Sequence, residues 1–245
     1  MRAVAGIVGG TGIGDRLGSL GGTAAHVPTE FGIMRARIVS FGNRTVALAS
    51  RHSRGHRVPP HKVEYRALAL GMKALGVRAV FATAATGSLR GDWTVGTMAV
   101  CSDFLDLSGR FATLFDREVV HSDFTEPFAC SARQALLSGA AAARIPVHPA
   151  AVYVCGNGPR YETPGEIEVY RRFGGDVVGM TAASEAIAMR EAGVPYACLA
   201  VVTNLACGIA SAPLRHEDVV EEMRQAGGRT LDVLRHAVEA LDFES

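Results

Sequence analysis

Hydrophobic residues in this chain gather in short runs that stop at polar or glycine-rich turns, and stretches with helical spacing lie between them. The uninterrupted runs at 4–8, 77–82 and the start of 199–208 predict strands buried on both faces of a mainly parallel sheet. Further strands are predicted at 95–100, 150–154 and 177–180. Residues 34–41 and 45–49 flank Gly42-Asn43 and predict a hairpin. Val63, Ala67, Leu70 and Ala74 give 61–75 a helical stripe. Helices are also predicted at 131–143, which is rich in alanine, and at 164–173, through Ile167, Val169, Tyr170 and Phe173. Another is expected to start at a capping Ser184 and run to 192. A long amphipathic helix is expected at 217–241, bent at Gly227-Gly228. The stretch 107–125 follows neither period. Strands alternating with helices predict α/β layers.

Polar groups follow the apolar runs directly. Thr11, Arg51, Thr181 and Asn204 each come just after a predicted strand, where open α/β sheets place their ligands. That coincidence predicts one site. Gly9-Gly10-Thr11-Gly12-Ile13-Gly14 lets backbone approach a ligand and can form an anion nest. A dinucleotide fingerprint would need a helix directly after the glycines. Gly18, Gly21 and Gly22 predict that no amphipathic helix begins there, so phosphate fits this loop better than a dinucleotide. Arg51-His52-Ser53-Arg54-Gly55-His56-Arg57 reads either as a solvated basic loop or as an arginine clamp on phosphate. The small residues at 83–88 either pack closely or leave N–H groups for a ligand. Gly156 through Thr163 presents Tyr161 and Glu162 side by side. Asn204 offers a carboxamide that donates and accepts in one plane, as a purine edge requires, although asparagine also simply turns chains.

The bulk numbers narrow the class. With 245 residues, 48% hydrophobic and 20% charged, the chain fits a single domain over 1–245 with ample core. A net charge of +1 gives no basic field for nucleic acid. The five cysteines are odd in number and form no C-x-x-C pair, which predicts reduced thiols, a cytoplasmic location and no zinc site. The first ten residues turn glycine-rich too soon for a signal peptide. Residues 193–214 carry no formal charge and could span a bilayer by length. Pro195, Thr203, Asn204, Gly208, Ser211 and Pro213 argue instead for a buried strand and a site loop, so no membrane partner is expected.

These residues together resemble the trimeric purine nucleoside phosphorylases, specifically the methylthioadenosine/methylthioinosine phosphorylase branch. The likeness runs from Gly9-Gly10-Thr11-Gly12 to His216. It rests on Arg51-His52, Gly87-Ser88-Leu89-Arg90, Gly158-Pro159-Arg160-Tyr161-Glu162-Thr163, Met180-Thr181 and Thr203-Asn204 in that order. It implies a three-layer α/β/α domain with a central mixed, mainly parallel sheet, a homotrimer with shared sites, and phosphate-dependent cleavage of a glycosidic bond. It further implies that Thr11, Arg51, His52, Thr181 and the backbone at Ala85 bind phosphate. Met180 would lie against the ribose, Tyr161 would stack on the base, and Glu162 and Asn204 would read the base edge. His121 would reach a neighbouring subunit's site near the sugar 5′ position. Arg51, Glu162 and Asn204 would carry the catalysis.

The sequence departs from the family at three places. Ala84 stands where a hydroxyl or amide is frequent. Asn204 and Ala206 stand where the methylthioadenosine enzymes carry two aspartates. His216 matches a histidine that serves the 5′-hydroxyl in ordinary nucleoside phosphorylases, whereas His121 matches the methylthio branch.

The chemistry suits these residue types. Phosphate is itself the nucleophile, so neither a metal nor an organic cofactor is expected, and catalysis reduces to positioning and charge stabilisation. The expected substrates are 6-oxopurine nucleosides, namely methylthioinosine or inosine/guanosine. The rivals are a methylthioadenosine phosphorylase, a dinucleotide-dependent oxidoreductase and a nucleoside-binding protein without catalysis.

Overall fold

The computed structural model describes residues 2–53, 55, 57–209 and 215–241. Arg54, His56, Ser211 and Pro213 of the expectations above lie outside the described residues. The chain runs β1 (Ala5–Gly9), α1 (Ile13–Gly18), β2 (Thr23–Thr29), β3 (Gly32–Phe41), β4 (Arg44–Ser50), a 3₁₀ turn (Pro60–Lys62) and α2 (Tyr65–Ala74). It continues with β5 (Ala79–Ser88), β6 (Met98–Asp106), α3 (Cys130–Ala142), β7 (His148–Cys155), α4 (Pro164–Arg172) and β8 (Val177–Gly179). The last elements are α5 (Ala182–Glu191), β9 (Tyr196–Leu205) and α6 (His216–Glu239).

The strands form one mixed sheet in the order β2-β3-β4-β1-β5-β8-β7-β6-β9. An added β5–β9 pairing makes β5, β8, β7, β6 and β9 close on themselves. Period-two alternation explains the layers. Ile7, Phe81, Leu199 and Val201 face a cluster that includes Leu136 of α3 and Met223, Val233 and Leu234 of α6. Val8, Val80, Ala82, Cys198, Ala200 and Val202 face the opposite cluster, with Leu68 and Met72 of α2 and Ala183, Ala186 and Met189 of α5. Both faces of the strands are thus covered, as their unbroken apolar runs require.

Several expectations need correction. A short helix, α1, does follow the glycine loop, but it ends at Gly18 after six residues. The small residues at 83–88 do not follow β5; they are its second half. Ser184 does not cap α5. It is buried in the first turn, and Thr181 holds the N-cap position without a side-chain hydrogen bond. The sixth strand starts at Met98, not at 95, and extends to Asp106. Helix α6 runs through Gly227-Gly228 without a break. Strand β2 was not anticipated, because its pattern TAAHVPT leaves both faces partly open at the sheet edge.

Candidate active site

A cavity of about 380 Å³ opens at the ends of β1, β4, β5, β8 and β9. Thr11, Arg51, His52, Ala85, Tyr161, Glu162, Met180, Thr181, Asn204 and His216 all line it. Residues from seven separate parts of the chain therefore converge. His121 does not line the cavity of its own chain and is exposed. The role predicted for His121 lies in a neighbouring subunit's site.

One end of the cavity is built around Arg51. Its backbone N–H donates to Gly9 O at 3.0 Å, so the ends of β4 and β1 are joined. Its guanidinium is already engaged. Nε and Nη2 donate to Glu185 Oε1 and Oε2 at 2.5 and 2.8 Å, and Nη1 donates to Thr83 O at 2.9 Å. Glu185 also accepts from the Tyr196 hydroxyl at 2.7 Å. Both charged side chains are almost wholly inaccessible, at 1% and 0%. Burial alone would pull the Arg51 pKa down, but the adjoining Glu185 carboxylate outweighs it and holds the pKa above the usual guanidinium value. Burial, with the nearby Glu185 charge, also drives the Tyr196 phenol well upward, so it stays a donor. The expected clamp is thus half of a buried bidentate pair. Glu185 was invisible in the sequence because it sits in the first turn of α5 with no motif around it.

Glycine explains how the guanidinium fits. A Cβ on Gly10 would lie 2.6 Å from Arg51 Nη1 and 2.7 Å from Thr83 O. The glycine loop offers fewer free donors than expected. Gly10 N donates to Thr83 Oγ1, Ile13 N to Thr11 O and Gly14 N to Gly10 O. The anion-nest reading narrows to Thr11 and Gly12. The N-terminus of α5 is likewise occupied. The N–H groups of Thr181 and Ala182 meet the Tyr153 hydroxyl at 3.2 and 3.5 Å. The Cys155 sulfur, whose pKa burial pushes up to about 12, receives the N–H groups of Ala183 and Ser184.

His52 is buried, its Nδ1 2.8 Å from Val58 O, and Val58 N donates back to His52 O. This pairing folds the basic loop so that Arg57 also lines the cavity. No hydrogen bond or ion pair holds the Arg57 side chain among the described residues. The basic run therefore splits: Arg51 is neutralised inside the protein, while Arg57 presents an unneutralised cation.

The other end carries Tyr161, Glu162 and Asn204. Thr163 caps α4 and forms a capping box with Glu166, so Glu162 is not the cap and faces the cavity instead. A Cβ on Gly156 would lie 2.7 Å from Glu162 Oε1, so glycine makes room for the carboxylate. Burial raises the Glu162 pKa above its ordinary 4.5. Asn204 sits where the β5–β9 register shifts between Thr86 and Gly87. Thr203 Oγ1 donates to Asn204 Oδ1 at 2.9 Å and Asn204 Nδ2 donates to Leu205 O at 3.0 Å, which fixes the amide orientation and leaves one N–H for a ligand. Gly87 again clears space, since a Cβ there would lie 3.1 Å from Asn204 Nδ2.

The sequence matches the family model of the Phosphorylase superfamily over residues 4–239. It is 41% identical to the probable 6-oxopurine nucleoside phosphorylase of Moorella thermoacetica, covering 95% of this chain and 91% of that one. It is 37% identical to the 6-oxopurine nucleoside phosphorylase of Pyrococcus furiosus, covering 97% and 93%. It is also 37% identical to the probable S-methyl-5′-thioinosine phosphorylase of Methanopyrus kandleri, covering 96% and 91%. Among solved structures, the methylthioadenosine phosphorylase from Schistosoma mansoni in complex with adenine superposes with a TM-score of 0.93 at 30% identity, covering 100% of this chain and 93% of that one.

Proposed function

The chain belongs to the phosphorylase superfamily, and we propose that it cleaves the N-glycosidic bond of 6-oxopurine nucleosides with inorganic phosphate. The products are the free base and a ribose 1-phosphate or 5-methylthioribose 1-phosphate. The observation that carries this is the pairing of Glu162 with Asn204 in one cavity. An ionised Glu162 only accepts, so it suits the N1–H of hypoxanthine or guanine and opposes the bare N1 of adenine. Asn204 donates to N7 or O6. That bond strengthens as the departing base gains charge. The named activities of the sequence relatives support the same base class. The structural neighbour acts on an aminopurine, so overall shape alone does not select the base.

At the opposite end, Thr11, Arg51, His52, the Ala85 backbone and Thr181 hold phosphate beneath the sugar, with Met180 against the ribose. His216 and a partner's His121 flank the 5′ group. The reaction needs no metal or organic cofactor, because phosphate is the nucleophile. We further propose a homotrimer with shared sites. Phe111 and Val119, 94% and 87% exposed in the segment that also holds His121, support a partner there. A cytoplasmic location is supported by five unpaired cysteines. No helix among the described residues is long and apolar enough to cross a membrane.

The test is base release from inosine, guanosine, adenosine, methylthioinosine and methylthioadenosine, with and without phosphate. Turnover should require phosphate and favour the 6-oxopurines. Phosphate-independent turnover, or equal kcat/KM for methylthioadenosine and methylthioinosine, would refute the reading. For assembly, mixing His121→Ala with Arg51→Ala subunits should restore activity that neither has alone; a fully active monomer by light scattering rules the trimer out.

A further inference from the structure

Arg110 lies in the stretch between β6 and α3 that has no regular element, yet its guanidinium is the most heavily bonded side chain behind the cavity wall. Nη2 donates to Gly156 O at 2.8 Å, Asn157 O at 3.1 Å and Met180 O at 2.5 Å. Nε donates to Asn157 Oδ1 at 3.0 Å. Nη1 reaches the Tyr65 hydroxyl at 2.9 Å, Ser184 Oγ at 3.2 Å and Pro60 O at 3.5 Å. Every acceptor is neutral. A buried ion pair such as Arg51–Glu185 holds charge against charge; Arg110 instead gathers carbonyl and hydroxyl oxygens from five places in the chain.

Those places are informative. Gly156 and Asn157 form the foot of the turn that carries Tyr161 and Glu162. Met180 and Pro60 line the cavity, while Arg110 does not. The turn itself has no helix or strand to hold it; Gly156 N donates to Gly179 O and the Cys155 thiol reaches Gly156 O at 3.7 Å, and the remaining hydrogen bonds to the carbonyls of its foot come from Arg110. A lysine ammonium is a compact charge with three donors and cannot span these acceptors, which a planar fork can.

We infer that Arg110 is a positioning residue for the base half of the site: it locks the foot of the Tyr161–Glu162 turn to the Met180 carbonyl, so base stacker, base reader and ribose wall keep one geometry. The claim rests on the proposed phosphorolysis for its kinetic consequence, but not for its structural one. Displacing such groups by an ångström costs on the order of 10²-fold in rate.

Two measurements on the intact protein separate the possibilities. In steady-state kinetics, Arg110→Ala and Arg110→Lys should each lower kcat/KM for the 6-oxopurine nucleoside by about 10²-fold, while the phosphate KM stays near its original value. Added methylguanidinium should restore part of the Arg110→Ala loss. An equal rise in both KM values, or full activity in Arg110→Lys, overturns the inference. In hydrogen-exchange mass spectrometry, Arg110→Ala should speed exchange across residues 156–163 and leave the β2–β3 hairpin unchanged. Unchanged exchange, or a uniform rise along the whole chain, also overturns it. If the unaltered protein cleaves no purine nucleoside, the proposed function fails, and the exchange result still decides the role of Arg110.

Discussion

The two ends of the cavity satisfy their polar groups in opposite ways. At the Arg51 end the protein supplies the partners: Glu185, Thr83 and Tyr196 complete a closed network before any ligand arrives. At the Glu162 end the carboxylate is half-buried beside an aromatic ring and an amide with an N–H to spare, and the ligand must complete the set. The first arrangement gives rigidity and, under the proposed function, fixes where phosphate sits. The second, under the proposed function, gives discrimination, because a base with the wrong edge would leave a buried group unpaired. A cavity with both ends closed would bind tightly but choose poorly. With both ends open it would lack a fixed floor.

The harshest way to break this contrast is to remove one charge from the closed end. Arg51→Ala should destabilise the fold by about 3–5 kcal/mol, since it strands a buried carboxylate. It should also abolish phosphate-dependent turnover. Thermal unfolding of the double variant Arg51→Met/Glu185→Leu separates the two effects: most of the lost stability should return, with no activity. If the double variant is active, Arg51 does not serve phosphate.

At the open end the expected change is in choice, not stability. Asn204→Asp should erode a preference for 6-oxopurines that a hydrogen-bonding site can set at about 10⁴-fold, with the melting temperature nearly unchanged. Competing methylthioinosine against methylthioadenosine reads this directly; an intact preference would remove Asn204 from base reading.

Acidity sharpens the comparison further. The folded pKa of Glu162 lies above 4.5 because of burial. A carboxylate raised on folding contributes stability below its unfolded pKa and loses that contribution as pH rises through the folded one. The role proposed for it runs the other way, since only the ionised form accepts N1–H. Activity on 6-oxopurines should therefore fall on acidification earlier than an ordinary carboxylate would dictate. Glu162→Gln should flatten that limb and lower the plateau. A limb that survives the substitution belongs to another group.

The mildest effect belongs to Arg57. Its removal should raise the phosphate KM several-fold and weaken the dependence on ionic strength, as expected for an exposed charge. Stopped-flow or steady-state assays at two salt concentrations suffice. No change in either would leave the closed end without an external cation.

Much of this was legible in the sequence. Apolar runs located β1, β5 and β9, and the polar residues directly after strands marked Thr11, Arg51, Thr181 and Asn204. What escaped had no local signature. Glu185 lies inside an alanine-rich helix and matters only because Arg51 reaches it from 134 residues away. Arg110 lies where no period exists. The second half of β5 is Thr-Ala-Ala-Thr-Gly-Ser, poor in strand formers, and is held in the ladder by β9 and β8. Helix α1 formed despite its glycines because Ile13 and Leu17 are buried against the sheet. Tertiary packing overrode propensity in each case.

The distance along the chain between Arg51 and Glu185 also bears on how the protein folds. Helix α5 is small-residued and nearly encased, with Ala182, Ala183, Ser184, Glu185, Ala186, Ala188 and Met189 all buried. Docking it against the sheet before the end of β4 is in place would bury a lone carboxylate, at a cost of several kcal/mol. Docking β4 first would do the same to a lone guanidinium. Compact half-formed states are thus penalised, and the two sides of the layer must arrive together. The pair acts as an assembly checkpoint, and the Arg51→Met/Glu185→Leu variant, freed from it, should show rollover in its refolding chevron that the unaltered protein lacks.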